Sequence, residues 1–367
     1  MIGDERQPRV AIPLAQGGSV LSGRAVAATR LAAALQRAGQ DVVLFDHSMP
    51  VGRASTPGSH GPAVVACPPL SAGSLDPTVV EAYKACLPAT FILSGSEEAW
   101  ATCAALTATA AAGMRVIGLC DNDEPGCYAR LVYYEPLVTR FVAVSSVCRD
   151  RLAALLPHRV ADIQVHRGGV EVGPELDRRW SADGEPLSLL YAGPFDEPER
   201  RVFDLPRLAG ALSRRNVPFV LRLAGDGPDE RALRARVQRL DLHSAAHVEF
   251  LGTLSQAVLG NRYRQADVCV IPSAYAGASN TLLEAMSHGA VPLVTAVSGT
   301  ADLVVPGQTG FSVAVGDVEA MARELGDVAG YHGMLEPLGR RAHAMACEHT
   351  MDRYASWFLT LLDEVEA

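Results

Sequence analysis

Short apolar runs separated by longer segments of helical period limit most strongly how this chain can fold. Apolar runs that alternate with helices are typical of a parallel sheet covered by helices on both faces. One intervening segment, residues 23–38, has apolar residues at helical spacing, and Gly39 follows it where a helix cap belongs. In the first half, the predicted strands are residues 9–14, 41–45, 63–67, 90–93, 115–119, 140–144 and 163–166.

A second series of runs follows a polar stretch, residues 172–186, which contains Gly and Pro and is interpreted as a linker. A chain of 367 residues accommodates two domains at about 100 to 200 residues each. We therefore predict two doubly wound α/β domains, residues 1–175 and 187–345. The predicted strands of the second half are residues 187–192, 219–224, 247–251, 268–271, 291–295 and 310–313.

Residues 346–367 form a third predicted part, with a helix at about residues 352–364 that has one apolar stripe. Such a stripe must be buried, and we expect it to pack across the domain junction. The stripe consists of Tyr354, Trp357, Phe358, Leu361 and Leu362.

Charge and hydropathy exclude several classes of protein. With 41 acidic against 32 basic residues and a net charge of −9, the chain lacks the basic face that nucleic-acid binding requires, so we expect no nucleic acid as partner. No apolar window approaches the roughly 18 residues of a transmembrane helix, and residues 1–10 lack the apolar core of a signal peptide. We expect a cytoplasmic protein without stable membrane insertion.

Eight cysteines are spread along the chain without the close pairs of a zinc site or the density of a disulfide scaffold. Most fall in apolar runs, as Cys269 does, where a thiol behaves as a small buried hydrophobe. We expect mostly buried free thiols and no metal centre.

Two turns rich in small residues are candidate anion sites. Gly17 and Gly18 follow the first strand, so their backbone N–H groups can approach a phosphate closely, although a tight turn without a ligand explains the pair equally well. In the second half, residues 277–279 precede a helix that contains Glu284. This carboxylate either accepts two ribose hydroxyls or is an ordinary first-turn glutamate stabilised by the helix dipole.

Segments over most of the chain, most clearly those between residues 187 and 313, together resemble the retaining GT-B glycosyltransferases of family 4. The most specific match is SNTLLEAMSHGAVPLV, residues 279–294, which is similar to the C-terminal half of the two-glutamate motif of that family. Lesser matches are LAGDGPDE, FLGTLS, AVSSVCRDRL and VHRGGVEV. The resemblance implies a GT-B fold, in which two Rossmann-like domains face a cleft and the second binds most of a nucleotide sugar.

The resemblance also implies individual donor-binding roles. Glu284 takes the place of the glutamate that binds the ribose, and Arg200 that of a lysine that binds the diphosphate, with one inserted residue allowed. In this family the backbone of FLGTLS lies against the nucleotide base. The implied donor-binding residues are Gly17, Gly18, Gly193, Arg200, Leu251, Gly277, Ala278, Ser279, Asn280, Thr281 and Glu284.

Three positions depart from the family pattern. Its first glutamate, which grips the donor sugar, falls at Ala276, and its phosphate-binding arginine falls at Pro194. Where the family has a histidine near the reacting carbon, this chain has Cys120, followed by Asp121 and Asp123 on a predicted acceptor-side loop. The two acids either receive polar groups of an acceptor or cap the helix that follows them.

From the resemblance we expect a retaining, metal-independent transfer of a sugar from a GDP- or UDP-linked donor to a small-molecule acceptor. Arg200 is the expected catalytic residue because it neutralises the departing phosphate, which itself takes the proton of the acceptor, so no cofactor is required. The missing glutamate and arginine favour an unusual donor, or a thiol or amine acceptor in antibiotic or other natural-product biosynthesis. The alternatives are a catalytically impaired nucleotide-binding partner protein and a nucleotide-sugar epimerase.

Overall fold

The computed structural model describes residues 9–14, 23–47, 62–67, 75–110, 113–173, 175–276 and 280–366. The chain divides into two compact units, Met1–Gly169 with Met351–Ala367, and Val170–Thr350. Each unit is built around its own parallel β-sheet.

The first sheet is covered on both faces, so its central strands are buried along most of their length. All five residues of β4 are buried, for example. Among the described residues the strands pair in parallel, in the order β3-β2-β1-β4-β5-β6-β7. Their bounds are β1 Arg9–Leu14, β2 Val42–Asp46, β3 Ala63–Ala66, β4 Ala89–Leu93, β5 Met114–Cys120, β6 Arg140–Ala143 and β7 Ile163–Val165.

The helices of the first unit begin and end at residues that suit those positions. Gly39 has a φ of +95° just after the first helix, where the sequence predicts a cap. The side chain of Ser145 accepts a hydrogen bond from the N–H of Cys148 and so caps the fifth helix. The bounds are α1 Gly23–Arg37, α2 Pro77–Lys84, α3 Glu97–Ala110, α4 Pro125–Tyr133, α5 Ser146–Leu155 and α14 Met351–Glu366, with short 3-10 helices at Glu135–Leu137 and Pro157–Asp162.

Helix α14 belongs to the first unit although it follows the second unit in the chain. Its residues Phe358 and Leu361 are buried in one cluster with Ile12 of β1 and Leu35 of α1. The apolar stripe that the sequence predicts is therefore buried against α1 and one face of the first sheet.

The second sheet has the same parallel construction. Among the described residues its strands pair in the order β10-β9-β8-β11-β12-β13. The predicted strands at residues 187–192, 219–224, 268–271 and 291–295 are confirmed to the residue. The bounds are β8 Leu187–Ala192, β9 Phe219–Ala224, β10 Ala246–Gly252, β11 Val268–Ile271, β12 Val291–Thr295 and β13 Phe311–Val313.

Helices cover both faces of the second sheet, and each face has its own buried cluster. The amphipathic helix α7 packs on one face together with α12, and α10 and α13 pack on the other. The bounds are α6 Glu197–Arg200, α7 Asp204–Arg214, α8 Glu230–Val237, α9 Gln256–Gln265, α10 Asn280–Ser287, α11 Ser298–Ala301, α12 Val318–Gly330 and α13 Leu335–Cys347, with a 3-10 helix at His332–Met334.

The stretch interpreted as a linker, residues 172–186, is instead part of the second unit. The guanidinium of Arg178 is fully buried and lies 4.5 Å from the centre of the Trp180 ring. Ser181 donates through its N–H and its hydroxyl to the buried carboxylate of Asp267, at 2.9 and 2.6 Å. The linker prediction was wrong because Gly and Pro content does not reveal contacts with residues far along the chain.

Candidate functional site

The candidate site lies where the winding of the second sheet reverses. From β8 the chain continues to β9 on one side, whereas β11 is followed by β12 and β13 on the other. Ligands of open parallel sheets bind in the crevice outside the carboxyl ends of the strands at such a point. The segment after β8 carries Arg200 and the helix after β11 carries Glu284, so both residues follow strands that border this crevice.

The loops after β8 and β9 approach each other too closely to admit side chains. A Cβ atom on Gly225 would lie 1.9 Å from the carbonyl oxygen of Gly193, and one on Gly227 would lie 2.4 Å from that of Phe195. The φ angles of these two glycines are +144° and +157°, values that side chains disfavour. The N–H of Gly193 donates to the carbonyl of Ala224 at 3.0 Å. The LAGDGPDE motif therefore fixes the backbone at the edge of the crevice.

Helix α6 is held between the loops that follow β9 and β11. The N–H of Glu197 donates to the carboxylate of Asp229 at 2.8 Å, and the carbonyl of Glu199 accepts from the N–H of Ala274 at 2.8 Å. These contacts fix the position of Arg200, the last residue of the helix.

The guanidinium of Arg200 is only partly satisfied by the protein. Its Nη2 pairs with the carboxylate of Glu199 at 2.9 Å, and its side chain is 29% exposed. The Nε–H is buried and, among the described residues, has no hydrogen-bond partner. Leaving a buried donor of a charged group unpaired is costly, so this nitrogen can donate to an anionic ligand.

Glu284 lies in α10 and is 8% exposed. The hydroxyl of Tyr263 in α9 donates to its Oε2 at 3.3 Å, and its backbone carbonyl lies 2.9 Å from Nδ1 of His288. Glu284 is the fifth residue of the helix as described, beyond the turn in which the dipole stabilises a carboxylate. The interpretation as a first-turn glutamate therefore fails.

Ala276, where the resemblance places a sugar-binding glutamate, is 2% exposed. Its carbonyl oxygen accepts hydrogen bonds from the hydroxyl of Ser298 at 2.5 Å and from the N–H of Gly299 at 2.8 Å. The loop after β11 is thereby tied to the loop after β12. The methyl group occupies a packed position, so a larger side chain there requires movement of its neighbours.

Other predicted donor residues are placed as follows. Leu251 is partly buried near the end of β10, next to Gly252, whose carbonyl accepts from Gly225 N–H at 2.9 Å. The hydroxyl of Thr281 contacts the carbonyl of Ala192 at 3.4 Å and so links α10 to the end of β8. The predicted residues Gly17, Gly18, Gly277, Ala278 and Ser279 lie outside the described residues.

Cys120 ends β5 of the first unit and is fully buried. Hydrogen bonding with the thiols of Cys127 and Cys148, together with burial, raises the pKa of Cys120 above that of an ordinary thiol. It is therefore an uncharged thiol at neutral pH, packed as a small hydrophobe. Of the eight cysteines, seven are buried and Cys347 is partly buried, and all are free.

The two acids after Cys120 make contacts other than a helix cap. Asp123 accepts from the hydroxyl of Tyr128 at 2.7 Å and also pairs with Arg151. Asp121 lies 3.3 Å from Nε of Arg24, and burial raises its pKa. The capping residue of α4 is Glu124, which makes no side-chain cap bond. The capping alternative for Asp121 and Asp123 is wrong.

Sequence analysis missed Arg24 as a site residue. A Cβ atom on Gly95, just after β4, would lie 2.7 Å from Nη1 of Arg24, and Arg24 also pairs with Glu124 at 3.5 Å. The sheet order reverses between β1 and β4, so Arg24 and Asp121 lie near the switch point of the first sheet. In the sequence, the one signal for these contacts is that an arginine stands in the first turn of a helix, after a segment that contains glycines.

Within the described part of the chain, no group of three or more His, Cys, Asp or Glu side chains is arranged to hold a metal ion. In the same part of the chain, no helix combines the length and the hydrophobicity that crossing a membrane requires.

Known proteins similar in sequence match part of the chain. Residues 186–329 match the family described as glycosyl transferases group 1. A glycogen synthase of Mycobacterium tuberculosis is 28% identical over 219 residues, which cover 59% of this chain and 50% of that protein. A GDP-mannose-dependent alpha-mannosyltransferase of Mycolicibacterium smegmatis is 31% identical over 188 residues, which cover 49% and 45%. The chain thus spans about half the length of these relatives.

Solved structures establish the fold of the whole chain. A sucrose-phosphate synthase from Thermosynechococcus elongatus matches with a TM-score of 0.78 at 18% sequence identity, over 98% of this chain and 99% of that one. The fold is therefore GT-B, with two Rossmann-like domains, and the predicted fold class is confirmed.

Proposed function

We propose that this protein is a glycosyltransferase that moves a sugar from a nucleoside-diphosphate sugar to a small-molecule acceptor. The buried, unpartnered Nε–H of Arg200 at the switch point of the second sheet is the observation that carries the proposal. It is supported by the match of residues 186–329 to the group 1 glycosyl transferases. The second unit is the donor-binding unit, and the nucleotide is GDP or UDP.

In this proposal the diphosphate lies beside Arg200 and the start of α10, and Glu284 accepts the ribose hydroxyls. Arg200 and the backbone N–H groups stabilise the negative charge that develops on the departing phosphate. The acceptor attacks from the face that the phosphate leaves, so the anomeric configuration is retained. A phosphate oxygen takes the acceptor proton, so the reaction proceeds without a protein base.

The acceptor lies on the first unit, near Asp121 and Asp123. Asp121 is partly buried and pairs with Arg24 at 3.3 Å, a polar contact of the kind that orients a polar ligand. Because Ala276 provides no carboxylate and Pro194 no guanidinium, this site stabilises the transition state of an ordinary hexosyl transfer less well. The proposed acceptor is therefore a thiol or an amine, groups that are more nucleophilic than an alcohol, in a natural-product pathway.

The test is to incubate the protein with GDP- and UDP-linked sugars and to measure nucleoside diphosphate release, with and without thiol and aminocyclitol acceptors. Release that depends on an acceptor, with a glycoside product of retained configuration, is expected. Release without acceptor indicates hydrolysis or epimerase-like chemistry. Nucleotide binding without release under any condition indicates a catalytically impaired binding protein, and either result contradicts the proposal.

A further inference from the structure

Tyr263 is a fully buried tyrosine whose hydroxyl reaches the proposed nucleotide site. Its ring is 1% exposed in the cluster that packs α9 and α10 against the second sheet. The ring also lies 5.7 Å from that of His288, centre to centre. The hydroxyl donates to Oε2 of Glu284 at 3.3 Å and also lies beside the hydroxyl of Thr281.

The hydroxyl of Tyr263 is a donor at neutral pH. Burial, reinforced by the negative charge of Glu284, raises the pKa of Tyr263 well above its ordinary value, so the group is protonated there. Because packing fixes the ring, the direction of the O–H bond is limited to rotation about one bond. A fixed donor of this kind sets the orientation of the carboxylate that accepts from it.

We propose that Tyr263 is a positioning residue that orients Glu284 toward the ribose of the donor nucleotide. This inference rests on the proposed function. A carboxylate has four lone-pair positions. The bond from Tyr263 occupies one on Oε2 and fixes the direction in which the carboxylate faces the 2′- and 3′-hydroxyls.

A tyrosine that only fills the core predicts a different result from one that positions Glu284. Tyr263→Phe keeps the ring and removes the donor. If the hydroxyl acts through Glu284, the substitution weakens binding of a ligand with ribose hydroxyls and leaves binding of a ligand without them unchanged. If the role is structural, both ligands lose the same factor or neither changes.

The experiment is isothermal titration calorimetry with UDP, GDP and the 2′,3′-dideoxy form of whichever binds. Wild type is compared with Tyr263→Phe, Glu284→Gln and the double variant. We expect Tyr263→Phe to weaken binding of the ribonucleotide roughly tenfold, to leave the dideoxy form unaffected, and to add nothing in the Glu284→Gln background. Titration at low temperature keeps a destabilised variant folded, and circular dichroism of each variant verifies that it is folded.

Tyr83→Phe is the matched control, because Tyr83 is equally buried in the first unit and its hydroxyl contacts His47 at 2.9 Å. It changes the melting temperature without changing nucleotide affinity. Equal loss for both ligands in Tyr263→Phe, or no loss, overturns the role of Tyr263 while wild type still binds nucleotide. If wild type binds neither UDP nor GDP, the proposed function itself fails.

Discussion

At the scale of single residues, Arg200 gives the sharpest prediction. Arg200→Ala removes the cation beside the proposed diphosphate, and we expect kcat to fall by roughly a hundredfold, since loss of one group that stabilises developing charge has an effect of that size. Stability changes little because the pair with Glu199 is partly exposed. Steady-state kinetics and thermal melting measure the two effects.

Arg214→Ala is the control for this substitution. Arg214 lies on the same unit, is 69% exposed and pairs with Glu319 at 3.2 Å, away from the crevice in sequence and in its contacts. Its replacement keeps turnover at the wild-type level. Unchanged turnover in Arg200→Ala removes Arg200 from the phosphate site.

His288 gives a prediction about pH. Burial, more than any other factor, lowers the pKa of His288 below its ordinary value of 6.5. The unfolded chain therefore binds more protons than the native protein below about pH 6.5, and the free energy of unfolding decreases as pH falls toward the lowered pKa. His288→Gln removes this dependence, so the stability advantage of wild type over the variant shrinks between pH 7 and the lowered pKa.

Urea unfolding at a series of pH values, followed by tryptophan fluorescence, measures this effect. His247→Gln is the matched control, because His247 is an exposed histidine of the same unit. An advantage of wild type over His288→Gln that stays constant, or increases, as the pH falls contradicts the prediction.

The residues that sequence analysis identified are those whose role shows in a local motif. Glu284 and Arg200 stand at fixed positions relative to strands and glycines. Tyr263 and Arg24 escaped notice because they reach Glu284 and Asp121 only through the fold, from another helix or from far along the chain. Cys120 was placed on the acceptor side because it stands where the family has a histidine, and that correspondence does not reveal that its side chain is buried.

At the scale of elements, the contact between the loops after β8 and β9 is predicted to depend on Gly225. Gly225→Ala places a methyl group against the backbone of Gly193, and we expect it to lower the free energy of unfolding by more than about 3 kcal/mol. Nucleotide affinity falls as well, because the loop after β8 leads to Arg200. Chemical denaturation and calorimetric titration report the two changes.

Gly252→Ala is the control for Gly225→Ala, because it introduces backbone strain without a close contact. Gly252 is the last residue of β10 and has a φ of +66°, but a Cβ atom there meets nothing within 4 Å. This variant costs about 1 to 2 kcal/mol, the strain of a left-handed alanine. Equal destabilisation by the two substitutions contradicts the account of the contact.

The bounds of strands were predictable where a local apolar run determines them. The strands are buried on both faces, so their apolar runs coincide with the observed bounds at β1, β8 and β9. The segment that contains Arg178 was misread as a linker because its structure depends on distant contacts. The guanidinium of Arg178 donates to the carbonyl of Ala266, directly after α9, and to that of His288, between α10 and β12. Those partners lie too far along the chain for composition to reveal them.

At the scale of the whole molecule, each unit has its own core, and α14 contributes to the first. Phe358→Ala creates a cavity beneath α14 and costs about 3 to 5 kcal/mol. We expect hydrogen exchange to accelerate in α1 and β1, which share that cluster, and to stay unchanged in the second unit. Exchange measured by mass spectrometry after proteolysis resolves the two units.

Leu325→Ala, in the core of the second unit, is the reciprocal control and accelerates exchange there alone. Faster exchange throughout both units in either variant contradicts the assignment of α14 to a separately stabilised first unit. The division into two α/β units was predictable from the two series of apolar runs. The boundary at residues 169 and 170 was not, because it falls before the polar stretch that resembles a linker.

The most direct test of the central claim is a crystal structure of the protein with UDP or GDP bound. The account predicts phosphate oxygens within hydrogen-bond distance of Nε of Arg200 and ribose hydroxyls at the carboxylate of Glu284. A nucleotide bound elsewhere, or an Arg200 Nε that donates to the protein itself while the crevice is filled by side chains, would contradict it.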